Sequence, residues 1–137
     1  TVNAGNVSPS TDFRLATDPS DGNIAAFYSA TGGSENGPTV KKWNGTAWSR
    51  IGTDLTGISF WHGDFIFNPS GNIYVSVSGV GVYPQIFKWN GSTWIDQGVV
   101  GWQNNVINTF ASDTIGNVYF AQDTAGTSDP FVILRLP

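Results

Sequence analysis

Few side chains in this 137-residue sequence are of the types that do chemistry, and their spacing favours binding over catalysis. There is one histidine, His62, one glutamate, Glu35, and no cysteine. A lone histidine cannot build a multi-histidine metal site, and without a placed nucleophile it cannot form a catalytic triad. The Gly-rich segment around Glu35 predicts a solvated surface charge. We therefore predict a protein that is not an enzyme, with no catalytic residue and no cofactor.

Nine aspartates remain as candidates for paired catalytic carboxylates or for a cation site. Asp18, Asp21 and Asp113 lie among turn-forming residues, where Asp is favoured because it hydrogen-bonds nearby backbone. Asp18 and Asp21 are close enough in sequence to hold a Ca²⁺ ion between them. Their cluster is short of oxygen ligands and lacks a Glu. We predict turns at these positions and no metal site.

Aromatic residues beside polar ones are the strongest binding signal in the sequence. Trp61 and Trp102 do not recur with the repeat described below, and both fall in connections between repeats. Neutral sugars are bound by aromatic rings that stack on CH faces, beside amide and carboxylate groups that pair with hydroxyls. The predicted ligand-binding residues are Trp61, His62, Asp64, Trp102, Gln103 and Asn104.

The elements that must position these residues come from an internal repeat. The phrase Lys-Trp-Asn-Gly-x-x-Trp occurs at residues 42–48 and again 46 positions later, at residues 88–94. A second phrase, centred on Gly-Asn-Ile/Val, occurs three times, with its Asn at positions 23, 72 and 117. Such a period marks a chain built from one repeated supersecondary unit. Because Trp43, Trp48, Trp89 and Trp94 recur with it, we predict that they pack between repeats.

The middle repeat predicts four short antiparallel strands. Its β-branched and apolar runs are residues 64–67, 72–77, 85–89 and 93–96, separated by turn residues, with Asn90-Gly91 as the tight hairpin. Four antiparallel strands in about 46 residues are typical of one propeller blade. The predicted blades are 12–52, 58–98 and 103–137. Residues 1–5 supply the fourth strand of the last blade, so that the repeat is offset by one strand.

These motifs resemble the bacterial and fungal propellers whose blades carry a Gly-Asn-Ile/Val-Tyr-Val … Lys-Trp-Asn-Gly-Ser-x-Trp signature, among them kelch-like modules and short-repeat propeller lectins. The resemblance implies a fold and not an active site, because its residues form strands and turns. The fucose-binding propeller lectins have an Arg and a Glu in each repeat. Here Arg14, Arg50 and Arg135 are not equivalent and Glu35 stands alone, so that sugar specificity does not carry over.

The predicted fold class is therefore all-β, a single β-propeller domain over residues 1–137 with three blades per chain. Propellers have four to eight blades, so three blades predict a homo-oligomer, most simply a dimer of six blades. The alternative fold is a β-trefoil, which also has three repeats of four strands. Its Gln-x-Trp signature is absent.

Composition limits the partners and the location. Charged residues make up 12% of the chain and the net charge is −4, which excludes a typical nucleic-acid binder. No apolar run reaches the ~18 residues of a membrane span. The charge-poor surface rich in Thr, Ser and Asn predicts a secreted or cell-surface protein. The chain contains no Met and starts at Thr1, which predicts a processed or excised product.

Two functions of different classes fit these patterns. The first is a carbohydrate-binding, lectin-like module that binds glycans in the clefts between blades of an oligomeric ring. The second is a structural protein that assembles with copies of itself, since a strand that completes one blade can be donated to a neighbour. A designed or excised propeller fragment is a third reading of the same sequence.

Overall fold

The computed structural model describes residues 13–30, 37–52, 55, 62–79, 83–99, 108–123 and 131–136, and these residues are all-β. Their strands form three separate antiparallel sheets, one for each sequence repeat. The described strands do not close into a barrel. The all-β prediction is confirmed, and each repeat corresponds to one sheet.

Each sheet is a meander in which strands pair with their neighbours in sequence. The first sheet contains β1 Phe13–Thr17, β2 Ile24–Ala30, β3 Gly37–Trp43 and β4 Trp48–Arg50. The second contains β5 His62–Phe67, β6 Ile73–Ser78, β7 Gln85–Trp89 and β8 Trp94–Val99. The third contains β9 Asn108–Ser112, β10 Val118–Asp123 and β11 Phe131–Leu136. The predicted fourth strand of the third sheet, residues 1–5, lies outside the described residues.

Strand register places the repeated apolar residues at the same position in every sheet. Phe65 lies opposite Val75 in the second sheet, and Phe110 lies opposite Phe120 in the third. Leu15 takes the same position in the first sheet, as the repeat alignment predicts. Equivalent residues can therefore be compared directly from sheet to sheet.

The first turn of each sheet is built by one polar side chain. Asp18, Asn68 and Asp113 occupy the same place, and the Oδ1 atom of each accepts the backbone N–H two residues later, at 2.8, 3.1 and 3.2 Å. Asx side chains form turns in this way because the carboxyl or amide oxygen replaces a backbone acceptor. The prediction of Asp in turns at positions 18 and 113 matches these contacts.

The hairpin between β7 and β8 differs in detail from the sequence-based expectation. The Asn90 N–H donates to the Thr93 carbonyl at 3.2 Å, so Gly91 and Ser92 form the tip and not Asn90-Gly91. The Asn90 Oδ1 accepts the N–H groups of Ser92 and Thr93, at 2.9 and 2.8 Å. Gly91 has a φ of 98°, which an L side chain rarely adopts. Asn90 is therefore the capping residue of this turn.

Each sheet has two faces, which we call leading and trailing. The leading faces carry Leu15, Phe65 and Phe110 in chain order. The trailing faces carry Val40, Ile86 and Ile133. Both names follow the strand registers, because directly paired residues project to the same side of a sheet.

Sheets pack face to face, trailing against leading. One apolar core joins the first two sheets and includes Phe27, Val40, Phe65, Phe67 and Val75. A second core joins the second and third sheets and includes Tyr74, Ile86, Phe110, Val118 and Phe120. Burial of each such side chain contributes roughly 1.5–3 kcal/mol, so these two interfaces hold the chain together.

The first strands of the sheets are neighbours. β5 contacts β1 on one side and β9 on the other, which brings three strands from three repeats together. In the first two sheets the strand order runs away from these neighbouring first strands, so β4 and β8 are the opposite edge strands. Among the described residues, no helix has the length and hydropathy needed to cross a bilayer.

Candidate functional site

The described residues include two of the six predicted ligand-binding residues. His62 and Asp64 both lie on β5 and are half-buried. Trp61, Trp102, Gln103 and Asn104 lie outside the described residues, so their role stays a prediction.

Asp64 links the first strands of all three sheets. Its Oδ2 accepts the backbone N–H of Phe110 on β9 at 2.9 Å, and its Oδ1 lies 3.6 Å from Nε of Arg14 on β1. Its own N–H donates to the Ser76 hydroxyl at 3.1 Å. The carboxylate is therefore already engaged by the fold, and any ligand role for it is shared with this structural one.

A polar cluster lies where β5 and β9 begin. The Ser78 hydroxyl donates to the His62 carbonyl at 3.0 Å and accepts from Nδ2 of Asn108 at 2.9 Å. The Asn108 Oδ1 is buried and has no hydrogen-bond partner in the described part of the chain. Since buried polar atoms are nearly always paired, this oxygen is a place for a water or a ligand group. His62 and Asn108 thus bring polar groups together at the end of the fold where that site was predicted.

A larger concavity lies between the first and second sheets, and we call it the inter-sheet cleft. Its volume is about 490 Å³. The polar and aromatic side chains that line it are Asp18, Lys42, Arg50, Asn72, Trp89 and Asn90. Such a cleft combines one aromatic surface with several hydrogen-bonding groups, which is the usual make-up of a small-molecule site.

An ion cluster forms one wall of the inter-sheet cleft. The Lys42 ammonium lies 2.5 Å from Oδ2 of Asp18 and 2.8 Å from Oδ2 of Asp21. The Lys42 side chain therefore contacts both Asp18 and Asp21, the two carboxylates for which the sequence predicts turns and no metal site.

The ion cluster shifts the pKa of all three of its groups. Burial raises the pKa of Asp18, but hydrogen bonds from Lys42 and Ser20 outweigh it and the net pKa is lowered. The hydrogen bond from Lys42 lowers the pKa of Asp21 to about 2. Burial lowers the pKa of Lys42, yet its hydrogen bonds to the two carboxylates outweigh burial and raise it. All three groups therefore stay charged near neutral pH.

The opposite wall of the inter-sheet cleft includes Trp89, which pairs with the indole of Trp94. Trp89 and Trp94 have ring centroids 5.3 Å apart, and both pack against the core between the first two sheets. The Trp94 Nε1 donates to the Ile51 carbonyl at 3.2 Å. A Cβ on Gly52 would lie 2.6 Å from both rings, so the glycine lets the indoles sit against the first sheet. This indole pair joins the two sheets, and Trp89 also lines the inter-sheet cleft.

Two further concavities are each lined by the residues of a single sheet. One of about 330 Å³ is lined by Gly116, Asn117, Arg135 and Leu136 of the third sheet. Another, of about 460 Å³, has a lining that includes Asn23, Trp43 and Asn44 of the first sheet. Those three residues are the repeat equivalents of Asn72, Trp89 and Asn90. The second of these concavities also shares Lys42, Arg50 and Ile51 with the inter-sheet cleft, so what recurs with the sequence repeat is the set of residues on one wall.

Sequence reasoning missed Lys42, Arg50, Asn72 and Asn90 as site residues. Three of the four belong to the repeated phrases, and repetition was interpreted as a sign of scaffold alone. Their polarity at the edge of a strand was the available signal.

No protein-family model, no curated protein and no solved structure matches this chain.

Proposed function

We propose that this chain is a non-enzymatic β-propeller module that binds neutral carbohydrate in the cleft between two blades. The blade assignment is supported by the three meander sheets, their face-to-face packing and the contact of β5 with both β1 and β9. Propeller blades are four-stranded antiparallel sheets arranged around a central axis, with one strand of each blade near that axis. In this proposal β1, β5 and β9 are the strands near the axis.

The observation that carries the ligand assignment is the make-up of the inter-sheet cleft. Trp89 offers an aromatic surface, and Asn72 offers an amide with one donor and one acceptor group. The Asn90 oxygen is held by its turn, which leaves its amide nitrogen as a donor. Sugars need this combination, because their CH faces are apolar and their hydroxyls need paired donors and acceptors.

A neutral ligand fits the charge balance of the inter-sheet cleft. Lys42 is neutralised by Asp18 and has Asp21 as a second partner, while Arg50 adds a further positive charge. Asp21 does not itself line the cleft, but its carboxylate lies 2.8 Å from the Lys42 ammonium, and with it counted the two negative and two positive side chains balance. Hydroxyl groups can be bound by such groups without a charge of their own.

Catalysis by the carboxylates of the inter-sheet cleft is disfavoured. A glycosidase needs one carboxylic acid with a raised pKa to protonate the leaving group. The pKa of Asp18 is lowered, and that of Asp21 is about 2. Both groups also bind the same ammonium, so neither is placed as a proton donor. A secreted or cell-surface location, where glycans are exposed, belongs to the same proposal.

The test is a screen for binding to neutral glycans, followed by calorimetry with the best of them. We expect Asn72→Ala to raise the Kd roughly tenfold, since one lost hydrogen bond in a desolvated site costs about 1–2 kcal/mol. The melting temperature should not change, because Asn72 joins its turn through its backbone N–H.

The matched control is Thr93→Ala, which changes an exposed residue of the same sheet outside the lining of the inter-sheet cleft. It should bind like the parent. If no neutral glycan binds at millimolar concentration, or if the two variants bind equally well, the proposal is wrong.

A further inference from the structure

The first sheet exposes apolar residues that are buried in the other two sheets. Leu15 is 61% exposed, whereas its equivalents Phe65 and Phe110 are 5% and 9% exposed. Ile24 is also exposed, whereas its equivalent Ile73 is buried. In the second and third sheets these positions are covered by the preceding sheet. The leading face of the first sheet has no preceding sheet in the described part of the chain.

The leading face of the first sheet is open only in part. Ala26 and Tyr28 are buried on it, and Phe13 stacks on Tyr28 with centroids 6.2 Å apart. The exposed apolar surface is therefore contributed by Phe13, Leu15 and Ile24.

The third sheet exposes the complementary position. Ile133, on its trailing face, is 59% exposed, whereas its equivalents Val40 and Ile86 are buried in the two cores. In the first and second sheets the following sheet covers this position. The trailing face of the third sheet thus has an apolar residue at the position where the trailing faces of the first and second sheets contact the following sheet.

The turns at the end of the first strands repeat the same pattern. A Cβ on Gly71 would lie 3.7 Å from Oδ1 of Asp18, and the Asn68 Nδ2 donates to the Gly116 carbonyl at 3.1 Å. Each glycine therefore touches the turn of the preceding sheet. For Gly22, the equivalent glycine of the first sheet, no atom of the described residues lies within 4 Å of the Cβ position.

The indoles used for sheet packing are already arranged in the first sheet. Trp43 and Trp48 have centroids 5.7 Å apart and an interplanar angle of 56°. The equivalent pair, Trp89 and Trp94, has values of 5.3 Å and 54° and sits on Gly52 of the preceding sheet. The first sheet thus carries the same docking groups as the second.

We infer that the leading face of the first sheet binds the trailing face of the third sheet of a second copy of this chain. Within each chain a trailing face packs on a leading face twice, once between the first and second sheets and once between the second and third. One leading face and one trailing face of the same types remain exposed in the described part of the chain. Two copies joined head to tail at both ends give six sheets, which lies within the range of four to eight blades that propellers use. The inference rests on the blade arrangement of the proposed function and is independent of carbohydrate binding.

The junction also completes a binding site. On one copy it places Asn23, Trp43 and Asn44, the equivalents of the second-sheet wall of the inter-sheet cleft. On the other copy it places the turn of Asp113 and the strand of Arg135. Each junction therefore forms one more cleft of the same type, which would raise the avidity of the assembly for repeated glycans.

The experiment measures solution mass by light scattering over a micromolar dilution series. The parent should have about twice the 14.7 kDa mass of one chain. Leu15→Asp and Ile133→Asp should each give a single chain with an unchanged far-ultraviolet dichroism spectrum, because both side chains are exposed within one chain. Tyr83→Asp, an exposed aromatic just before β7 of the middle sheet, is the matched control and should stay dimeric.

Mixing the two disrupted variants tests the head-to-tail geometry. One junction of the mixed pair joins two intact faces, so part of the mixture should regain the dimer mass. A contact between two first sheets would instead leave Ile133→Asp dimeric and would give no recovery on mixing.

A parent of single-chain mass, a mass other than two chains, or an Ile133→Asp variant that stays dimeric would each overturn the inference. If a variant fails to fold, the mass of the parent still decides. Since the inter-sheet cleft lies within one chain, a monomeric variant that still binds glycan separates this result from the proposed function.

Discussion

Lys42 is the residue on which the charged wall of the inter-sheet cleft depends. Its ammonium group is shared by Asp18 and Asp21, which lie 24 and 21 positions earlier in the sequence. The first repeat has an extra residue in this turn, Asp21, which the other two repeats lack. The second sheet keeps the lysine as Lys88, but it has Asn68 in place of Asp18. The ion cluster is therefore particular to the first sheet.

The ion cluster predicts a pH-dependent stability at acidic pH. The pKa values of both carboxylates are below their ordinary value of 3.8 in the folded chain. Their contribution to the free energy of unfolding is therefore fully present above pH 3.8. It is lost as the pH falls through the pKa of each carboxyl group in the folded chain, which is about 2 for Asp21. The pKa of Lys42 is raised above its ordinary value of 10.5, so its contribution to stability is lost only at a pH above 10.5.

Melting temperatures of Lys42→Met measured between about pH 6 and about pH 2 test this dependence. The variant should melt below the parent at the higher pH, and the gap should narrow as the carboxylates become protonated. Lys88→Met is the control, because Lys88 lies over the Tyr74 ring at 5.2 Å and is not part of the ion cluster. The difference in melting temperature between Lys88→Met and the parent should not depend on pH. A constant gap for Lys42→Met would show that the ion cluster contributes nothing to stability.

At the scale of elements, the first and second sheets are joined in part by the fit of the Trp89–Trp94 pair against a glycine of the first sheet. Gly52 follows β4 and has a φ of 74°, and both rings of the Trp89–Trp94 pair lie against it. Gly98 is its equivalent in the second sheet, with a φ of 101°, and in the described part of the chain nothing lies within 4 Å of its Cβ position. The two glycines therefore share the backbone constraint but differ in packing.

Alanine at these two glycines separates backbone strain from sheet packing. Gly98→Ala should lose only the cost of a left-handed L residue, about 1–2 kcal/mol. Gly52→Ala should cost about 1–3 kcal/mol more, because its Cβ displaces both indoles. Urea unfolding monitored by tryptophan fluorescence measures the two free energies of unfolding. Equal losses would mean that the Trp89–Trp94 pair does not hold the sheets together.

The repeat predicted these elements well because the same residue types do the same work in each sheet. The Gly-Asn phrase marks a turn followed by a buried strand, and the Trp-Asn-Gly phrase marks a capped hairpin. Local signals of this kind can be recognised without knowledge of tertiary contacts. The tip of the β7–β8 hairpin was misplaced by one residue, because an Asn can act either as a turn centre or as a cap.

The inter-sheet cleft could not be predicted from the same patterns. Asn72 and Asn90 belong to the repeated phrases, and repetition indicates a scaffold role without excluding a binding role. The approach of Lys42 to Asp18 depends on how β3 lies beside the β1–β2 turn, which no local pattern specifies. Asp64 was chosen as a ligand group, and its contacts with Arg14 and Phe110 show a linking role that follows from the contact of three first strands.

At the scale of the whole molecule, the described part of the chain forms three sheets stacked trailing face to leading face. Among the described residues, the leading face of the first sheet exposes Leu15 and the trailing face of the third sheet exposes Ile133. The inter-sheet cleft lies where the first and second sheets meet, so the packing of these two sheets also builds the candidate site. We propose that a neutral glycan binds in the inter-sheet cleft beside Trp89.

The most direct test is an NMR titration of the six indole N–H signals with a neutral glycan that the screen identifies. Each signal can be assigned by replacing one tryptophan at a time with phenylalanine. We expect the Trp89 signal to shift progressively to saturation, while the Trp94 signal, whose N–H is held by the Ile51 carbonyl, changes less. Shifts confined to Trp61 and Trp102 would place the ligand at the connections between repeats and would contradict the inter-sheet cleft as the site.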